Sequence, residues 1–301
     1  MTISRAQLAK ELEPGLNALF GLEYDRYENE AKEIFESESS DRAFEEEVML
    51  SGFGTAPVKS EGSAISFDDA QETYTARYTM ETIALAFSIT EEAVEDNLYD
   101  RLAARYTRAL ARSMAQTKQI KGATVLNNAF LTTSPIGDGA ALCSAAHPSL
   151  SGNQNNLLAT PADLNETSLE EILIQIAGFT DERGLKVAVR GTKLLIPKEL
   201  QFIAERIINS NLRPGSADND INAMKSMGML PQGAVVNHFF TDADAYFVKT
   251  DCPNGFKLFN RTPLKTAMEG DFDTGNMRFK ARERYSFGVS DWRSVFGTPG
   301  A

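Results

Sequence analysis

The residues whose types and spacing could support chemistry are few. Cys143 and His147 lie four positions apart, a spacing that could place a thiol beside a general base or supply two ligands of a zinc site. The remaining cysteine and histidine are Cys252 and His238, so a four-ligand zinc site would need all four side chains to converge. The pattern favours the simpler interpretation, in which Cys143 is an inert buried thiol.

A second candidate is the stretch Asp271-Phe-Asp273-Thr-Gly-Asn276, which is similar to a calcium-binding loop. Its Gly and Asn are transposed, and the twelfth position is Arg282 instead of glutamate, so a turn is the expected structure. A metal-dependent hydrolase that uses Asp271, Asp273 and His238 is kept as a remote alternative. The chain has no dinucleotide-binding or phosphate-binding glycine motif, no nucleophile elbow and no HExxH motif, so we predict no enzyme activity and no cofactor.

The composition limits the classes of protein to which the chain can belong. Its 301 residues are 42% hydrophobic and 24% charged, which predicts one large core or two smaller ones. No apolar run approaches the roughly 20 residues of a membrane span, and two cysteines do not make a disulfide framework. The formal net charge of −12 argues against tight non-specific nucleic-acid binding and suits a protein that packs against copies of itself.

The strongest secondary-structure pattern predicts one long helix from Thr90 to Asn128. Its apolar residues recur at every fourth position, which predicts one buried face. They are Val94, Leu98, Leu102, Tyr106, Leu110 and Met114. At 1.5 Å per residue such a helix would be roughly 45 to 55 Å long, which indicates a spine for something flat and extended.

Four arginines of this helix form a second row beside the apolar one. Arg101, Arg105, Arg108 and Arg112 recur at i, i+4, i+7 and i+11. Residues 23–47 hold eleven acids against three bases. We expect the arginine row to meet acids of this segment or of a neighbouring subunit, with a solvated helix face as the alternative.

The segments before the long helix are predicted to have little core of their own. Residues 1–22 carry a short amphipathic pattern interrupted by Pro14-Gly15, which predicts an arm. Between Val48 and Ile89, the stretches Tyr74–Tyr78 and Thr82–Phe87 have β-type composition and predict a long hairpin. Residues 52–66 contain three glycines, one proline and few large apolar groups, so we expect a neighbouring subunit to hold them.

The second half of the chain predicts a compact αβ unit. Thr167 and Ser168 are expected to cap a helix, and Pro197 is expected to open another. Strands are predicted at 185–189, 193–196, 234–240 and 245–249, with a turn at Asn254-Gly255.

The last predicted strand alternates most clearly. From Met277 to Ser290 the odd positions are mostly apolar and the even ones basic or small, which predicts one buried face with Glu283 as its exception. Because an unpaired buried carboxylate is costly, we expect Glu283 to pair with a base or to face a subunit boundary. A local bulge that turns it outward is the alternative.

The order of these elements resembles the major capsid proteins of tailed phages, which have the Hong Kong 97 fold. The chain has the same order of elements as that α+β fold, namely an acidic arm, a long hairpin, a long helix, an αβ unit and a closing strand. Three stretches are also similar to the Mu-like head subunit family. They are residues 209–222, 251–259 and 280–288, with the sequences NSNLRPGSADNDIN, DCPNGFKLF and KARERYSFG.

The resemblance implies a division of the chain into parts. These would be an N-terminal arm at 1–47, an extended E-loop hairpin at 48–87, a P-domain with its spine helix at 88–165, an A-domain at 166–260, and a return to the P-domain sheet with the C-terminus at 261–301. The arm begins almost at Met1, so scaffolding is expected to be a separate protein. Lys59 is the only lysine in residues 48–87, but no motif identifies a partner for it, so cross-linking is not predicted.

The function that the resemblance implies is structural. The protein would self-assemble as hexamers and pentamers into the icosahedral head shell of a tailed phage, enclosing packaged double-stranded DNA that it contacts non-specifically. Its expected partners are itself and the portal and scaffolding or protease proteins, with no membrane. It would be located in the virion after assembly in the host cytoplasm. An encapsulin-like nanocompartment shell of the same fold is the alternative.

No catalytic, cofactor-binding or metal-binding residue is predicted. The candidate residues for subunit interfaces come from the predicted hairpin, the arginine row, an exposed polar loop and the last strand. They are Phe53, Val58, Lys59, Tyr74, Tyr78, Arg101, Arg105, Arg108, Arg112, Arg213 and Glu283.

Overall fold

The structure is a computed structural model that describes residues 5–27, 29–90, 92–93, 99–212, 220–271 and 274–301, with the backbone alone described at 5–13 and 99–102. Five helices and ten strands are named here from these residues. The helices are α1 (Arg5–Asp25), α2 (Tyr99–Asn127), α3 (Glu166–Ala177), α4 (Gln201–Asn209) and α5 (Ala223–Met227). The strands are β1 (Glu36–Ser39), β2 (Phe44–Leu50), β3 (Glu72–Thr79), β4 (Glu81–Ile89), β5 (Gly191–Pro197), β6 (Ala234–Asn237), β7 (Tyr246–Thr250), β8 (Phe256–Gly270), β9 (Met277–Val289) and β10 (Val295–Thr298).

The chain divides into two compact units, each with its own sheet and core. Unit 1 comprises Met1–Phe44, Thr79–Gly122 and Leu258–Ser286. Unit 2 comprises Glu45–Tyr78, Ala123–Lys257 and Phe287–Ala301.

The sheet of unit 1 has the strand order β1-β8-β9-β4. β4 and β9 are antiparallel, and their register places Glu81 opposite Tyr285 and Ile89 opposite Met277. The odd-numbered side chains of β9 from Met277 to Tyr285 are buried, so the predicted alternation is confirmed. Its apolar face packs against helices α1 and α2 in one cluster, which consists of Leu16, Phe20, Ala103, Leu110, Ala111, Met114, Phe279 and Ala281.

Helix α1 corrects the expectation that the N-terminal segment is an arm without a core. It continues through Pro14, and both Leu16 and Phe20 are buried in the unit 1 cluster. Proline inside a helix removes one backbone hydrogen bond and crowds the preceding turn. Here the burial of two large side chains on the following turns offsets that cost.

Helix α2 confirms the predicted long helix over the described residues and buries Leu110 and Met114 of the predicted apolar row, but Tyr106 of that row is exposed. Tyr106 is 50% exposed, whereas Ala103, Thr107, Leu110 and Met114 are buried. An α-helix has 3.6 residues per turn, so a row of residues four apart drifts by about 40° at each step and leaves the core. The four buried residues are spaced i, i+4, i+7 and i+11, so they all lie on one side of the helix. Val94 and Leu98 lie outside the described residues, and the side chain of Leu102 is not described.

Unit 2 has a sheet of order β10-β7-β5-β6, in which β5 and β6 are parallel and β7 is antiparallel to both β5 and β10. Ile172, Leu173 and Ile176 of α3 lie in its core with Trp292 and Phe296. The N-cap of α3 is Asn165, whose side chain accepts from the backbone N–H of Ser168 while Ser168 reaches back to the backbone N–H of Asn165. Ser168 therefore takes part in a capping box, as the third residue of the helix. The N-cap itself is Asn165, two residues before the predicted Thr167.

Three predicted strands or pairings differ from the structure. Residues 185–189 contain only an isolated bridge, and the left-handed φ of 56° at Ala188 interrupts an extended path. β3 pairs with β2, while β4 joins the unit 1 sheet, so the hairpin is formed by β2 and β3. The Asn254-Gly255 turn is present, with φ of 56° at Asn254, but the strands on either side of it join different sheets.

Candidate assembly interface

The two most exposed large apolar side chains of the described residues lie on the loop that joins β2 to β3, residues 51–71. Val58 is 98% exposed and Phe67 is 96% exposed. Phe53 and Ile65 are also mostly exposed, and so is Lys59. Ile65 and Phe67 were not among the interface candidates predicted from the sequence. They are exposed for the same reason as Phe53 and Val58, because the loop has no core of its own. Such a row of apolar groups in water is typical of a surface that another protein covers.

The root of this hairpin is fixed within unit 2. The Glu47 carboxylate accepts hydrogen bonds from the Lys257 ammonium and the Ser290 hydroxyl, and the Tyr78 hydroxyl donates to Ser290 Oγ. The Tyr74 hydroxyl donates to the Ser290 carbonyl at 3.3 Å, and burial raises the pKa of Tyr74. Tyr78 is buried, so its side chain is not available to another copy and its place among the interface candidates is corrected.

The loop has one further anchor on unit 2. The Arg183 guanidinium donates to the Asp69 carbonyl and lies 3.6 Å from Asp68 Oδ1. The backbone N–H of Gly54 donates to Asp68 Oδ2 at 2.7 Å, and this hydrogen bond holds the pKa of Asp68 below its ordinary value. Because Asp68 is exposed, the ion pair contributes little stability. The loop is thus tied at its base and at one point near Asp68, while Phe53 and Val58 project into solvent.

The arginine row on α2 lies at the surface. Arg105, Arg108 and Arg112 are exposed, and the structure shows no ion pair between them and any acid that it describes. The Arg112 guanidinium lies 6.0 Å from the centre of the Tyr27 ring. The side chain of Arg101 is not described, and Arg213 lies outside the described residues. The expectation that these arginines meet acids of another subunit stays a prediction.

Glu283 is buried inside unit 1, at 2% exposure, and is paired with a base as predicted. Its Oε2 lies 3.3 Å from Lys118 Nζ and accepts a hydrogen bond of 3.4 Å from the Tyr24 hydroxyl, while Oε1 has no partner among the described groups. Burial raises the pKa of Glu283, and the Lys118 charge partly opposes that shift. Its burial removes it from the interface candidates. Sequence reasoning missed Lys118, which carries no signal beyond its place on the helix facing the last strand.

His147 is held in a buried polar cluster of unit 2 and is not beside a nucleophile. Its Nδ1 lies 2.6 Å from Asp138 Oδ2, and its Nε2 lies 3.0 Å from Asn156 Oδ1. That oxygen also accepts from the Ser144 backbone N–H, so Nε2 must donate to it. The imidazole stacks on the Trp292 indole with ring centres 4.5 Å apart. This geometry assigns His147 a structural role, joining the loop after α2 to the chain after β9.

The cysteines carry no catalytic signature. Cys143 is buried and burial raises its pKa, which keeps it a thiol and a poor nucleophile. Burial also raises the pKa of Cys252, whose Sγ lies 3.5 Å from Asp291 Oδ2. The burial of Cys143 fits the inert thiol expected for it.

The calcium-like stretch forms a turn, as expected. The Asp271 backbone N–H donates to the Asn276 carbonyl at 2.8 Å, and its carboxylate accepts from Thr274 and pairs with Arg278. Asp273 lies outside the described residues. Within the described part of the chain, no group of three or more His, Cys, Asp or Glu side chains is placed to hold a metal ion. Nor does any helix described here have the length and apolar character needed to cross a membrane.

The fold formed by these elements is that of shell-forming capsid proteins, the Hong Kong 97 fold. The chain aligns with a virus-like particle from Pyrococcus furiosus over 94% of its length and 97% of the other chain, with a TM-score of 0.53 and 8% identity. It aligns with Microbacterium phage Oxtober96 over 90% of each chain, with a TM-score of 0.52 and 12% identity. The capsid of the native GTA particle gives a TM-score of 0.54 at 13% identity, covering 91% of this chain and 92% of that chain.

The family is identified by sequence. The profile of the phage capsid protein family matches residues 73–297, about three quarters of the chain, and the protein belongs to that family. No curated protein sequence matches it. The finer assignment to Mu-like head subunits stays a prediction.

Proposed function

We propose that the chain is the major capsid protein of a tailed phage, and that its copies assemble as hexamers and pentamers into an icosahedral shell around double-stranded DNA. The match of residues 73–297 to the phage capsid protein family carries this proposal. The fold shared with capsid structures supports it.

The exposed hairpin loop gives the proposal a physical basis. Val58 and Phe67 are almost fully exposed in the single chain, and a cluster of large exposed apolar side chains is typical of a surface that another protein covers. In a shell each copy meets the same neighbours, so a small gain at each contact is repeated around every capsomer. The loop is the surface through which we expect neighbouring copies to hold one another.

The parts of the subunit are proposed from the same resemblance. Residues 1–47 would be the arm, 48–87 the E-loop, 88–165 the P-domain with the spine α2, 166–260 the A-domain and 261–301 the return to the P-domain sheet. Portal, scaffolding and protease proteins would act with the shell during its assembly in the host cytoplasm, and the mature subunit would reside in the virion.

A nanocompartment that encloses protein cargo is the second candidate function. The likeness to the virus-like particle from Pyrococcus furiosus, over 94% of this chain, is the observation that favours it. Both functions need the same shell, so they differ in what the shell contains.

One experiment tests both functions. The protein is expressed alone and together with the products of its neighbouring genes, and the particles are examined by negative-stain microscopy after sedimentation. Closed shells that protect double-stranded DNA from nuclease support the capsid function. Shells that instead copurify with one stoichiometric protein support the nanocompartment, and the absence of any shell contradicts both.

A further inference from the structure

A groove lies in unit 2 between the start of helix α3 and helix α4. Its volume is about 210 Å³. The apolar side chains that line it are Leu164, Ile203 and Ile207, and the polar ones are Asn165, Glu166 and Arg206. Leu164 and Ile207 belong to the core of unit 2, whereas Ile203 is 38% exposed. The groove therefore leaves apolar surface open at the edge of that core.

The size of the groove suits a side chain better than a separate small molecule. Sites for drug-sized ligands usually enclose about 300 to 1,000 Å³. An apolar cavity of about 150 Å³, engineered into another protein, binds benzene. A groove of about 210 Å³ with apolar walls thus has room for one phenyl ring.

A phenyl ring of that kind lies beside the groove, on the same helix. Phe202 precedes Ile203, and its backbone carbonyl accepts a hydrogen bond of 3.1 Å from Arg206 Nε, one turn later. The Phe202 ring is 69% exposed and is not part of the groove lining in its own chain. An exposed aromatic side chain next to an apolar recess is the kind of anchor that protein interfaces use.

The position of ring and groove on one short helix limits the symmetry of a contact between copies. Helix α4 has nine residues and is about 14 Å long. A contact that builds a ring of subunits joins two different surfaces, whereas a two-fold contact joins the same surface of both copies. Because Phe202 and the groove share one surface, two copies related by a two-fold axis can each place a ring in the groove of the other.

The charges around the groove are complementary in the same exchange. Glu166 lines the groove from α3, and Arg206 lines it from α4. When α4 of one copy enters the groove of the other, its Arg206 approaches Glu166 there, and the symmetry repeats the pair. Opposite charges at such a contact fix its orientation and disfavour wrong partners. The surface is therefore complementary to itself in both shape and charge.

We propose that this surface of unit 2 binds the same surface of a second copy of the chain, with each Phe202 ring in the groove of the other copy. The inference goes beyond the proposed function, because adjacent copies in a hexamer or pentamer are not related by a two-fold axis. A contact centred on two short helices lies at the low end of protein interfaces, below about 1,200 Å², so the pair forms reversibly.

The first test measures the association of full-length subunits before assembly, by sedimentation equilibrium over a range of concentrations. Wild-type subunits should form dimers, and Phe202→Ser should weaken dimer formation at least about tenfold, because it removes the anchor. Ile174→Ser removes an equally exposed apolar group outside the groove lining and should associate like the wild type. The fluorescence of Trp292 during urea unfolding verifies that each variant folds.

Charge reversal identifies the partner surface. Glu166→Arg alone and Arg206→Glu alone each place like charges at both symmetric pairs, so each variant should lose the dimer. An equal mixture of the two variants restores opposite charges at both pairs, so heterodimers should form with an affinity close to that of the wild type. An ion pair within one chain would be broken by each change and would not be restored by mixing.

Wild-type subunits that stay monomeric at every concentration would overturn the proposal. So would equal dimer formation by Phe202→Ser and the wild type, or a mixture of the two charge variants that remains monomeric. These results are independent of the proposed function, because they concern subunits before assembly. The absence of shells in the microscopy experiment contradicts the proposed function and leaves the dimer measurement valid.

Discussion

Glu283 shows how one carboxylate can be kept inside an apolar core. Lys118 and Tyr24 both donate to Oε2 of Glu283, so Oε1 has no hydrogen-bond donor among the described groups. Taking a carboxylate and an ammonium out of water costs several kcal/mol each, and one ion pair offsets only part of that cost. The raised pKa of Glu283 expresses the same imbalance, because burial favours its neutral form.

The first prediction concerns the pH dependence of this site. The folded-state pKa of Glu283 is raised above the unfolded value of about 4.3, so the folded state holds the proton more tightly. The stabilisation from this group is therefore present below that value and is lost as the pH rises through the folded pKa. The free energy of opening of β9 in the wild type, relative to Glu283→Gln, should fall as the pH increases from about 4 to 8.

Hydrogen exchange of the β9 amides measures this difference locally, which separates it from unit 2. Glu269→Gln, on the exposed part of β8, is the matched control and should change stability by less than about 0.5 kcal/mol. A difference between wild type and Glu283→Gln that stays constant or grows with pH would contradict the prediction.

The second prediction concerns the buried His147 cluster. Asp138→Ala removes the partner of Nδ1 and leaves a buried ring nitrogen unsatisfied, which should destabilise unit 2 by about 1 to 3 kcal/mol. Asp138→Asn keeps a polar partner of the same shape and should cost less. Trp292 is the only tryptophan of the chain and stacks on His147, so its fluorescence during urea unfolding reports this site. Equal losses in the two variants would show that the Asp138 hydrogen bond contributes little.

At the level of helices and strands, local patterns predicted which elements form better than which residues those elements bury. The row of apolar residues predicted α2, but the exposed Tyr106 shows that a strict four-residue row does not define a buried face along its whole length. Pro14 suggested a break in α1, whereas tertiary burial of Phe20 keeps the helix continuous. β3 and β4 were both predicted as strands, but they do not pair with each other. β4 pairs with β9, which lies almost 200 residues later in the chain, and no local signal specifies such a pairing.

The candidate site divides in the same way. Exposure of Phe53 and Val58 could be predicted from composition, because a Gly-rich and Ser-rich loop cannot bury them. The pairing of Glu283 with a base also followed from alternation on one strand. The identity of that base, and the anchoring of Tyr78 at Ser290, depend on contacts more than 150 residues apart along the chain. Spacing within a segment carries no information about such contacts.

The third prediction concerns the arginine row of α2. Arg105→Glu with Arg108→Glu would place like charges against the acids that we expect on a neighbouring copy, at a cost of several kcal/mol for each close pair. Shell yield at low salt should therefore fall by at least about tenfold, as measured by sedimentation. Lys280→Glu with Arg282→Glu changes the net charge equally and is the matched control. An unchanged shell yield for the α2 variant would indicate that the row is a solvated helix face.

For the whole molecule, stability of the subunit and closure of the shell place different demands on the chain. Each unit buries its own cluster around Met114 or Ile172, and the loop at 51–71 contributes to neither. Removing such a loop changes mainly chain entropy, which varies slowly with loop length. We therefore expect the loop to be dispensable for folding and its exposed apolar groups to be covered by neighbouring copies.

The last prediction separates these two demands. Replacing Gly52–Ala64 by a short Gly-Ser turn should change the thermal unfolding of the subunit by less than about 1 kcal/mol, because the hairpin root at Glu47, Tyr78 and Ser290 is untouched. The variant should fail to build closed shells, because it lacks the surface that neighbours cover. Val58→Ser with Phe67→Ser should weaken assembly at full loop length, and Ile174→Ser, which removes an exposed apolar group from α3, is the control.

Thermal unfolding beside sedimentation gives distinct results for each possibility. A loop variant that folds and still closes shells would show that the hairpin is ordinary surface, and the contacts between copies would then have to be sought elsewhere, first on the arginine row of α2. A loop variant that does not fold would show that residues 52–64 contribute to a core. We do not expect this result, because most of these residues are exposed. Folding without closure, with Ile174→Ser behaving as wild type, assigns the loop to assembly, because it removes the contact between copies and leaves both cores intact.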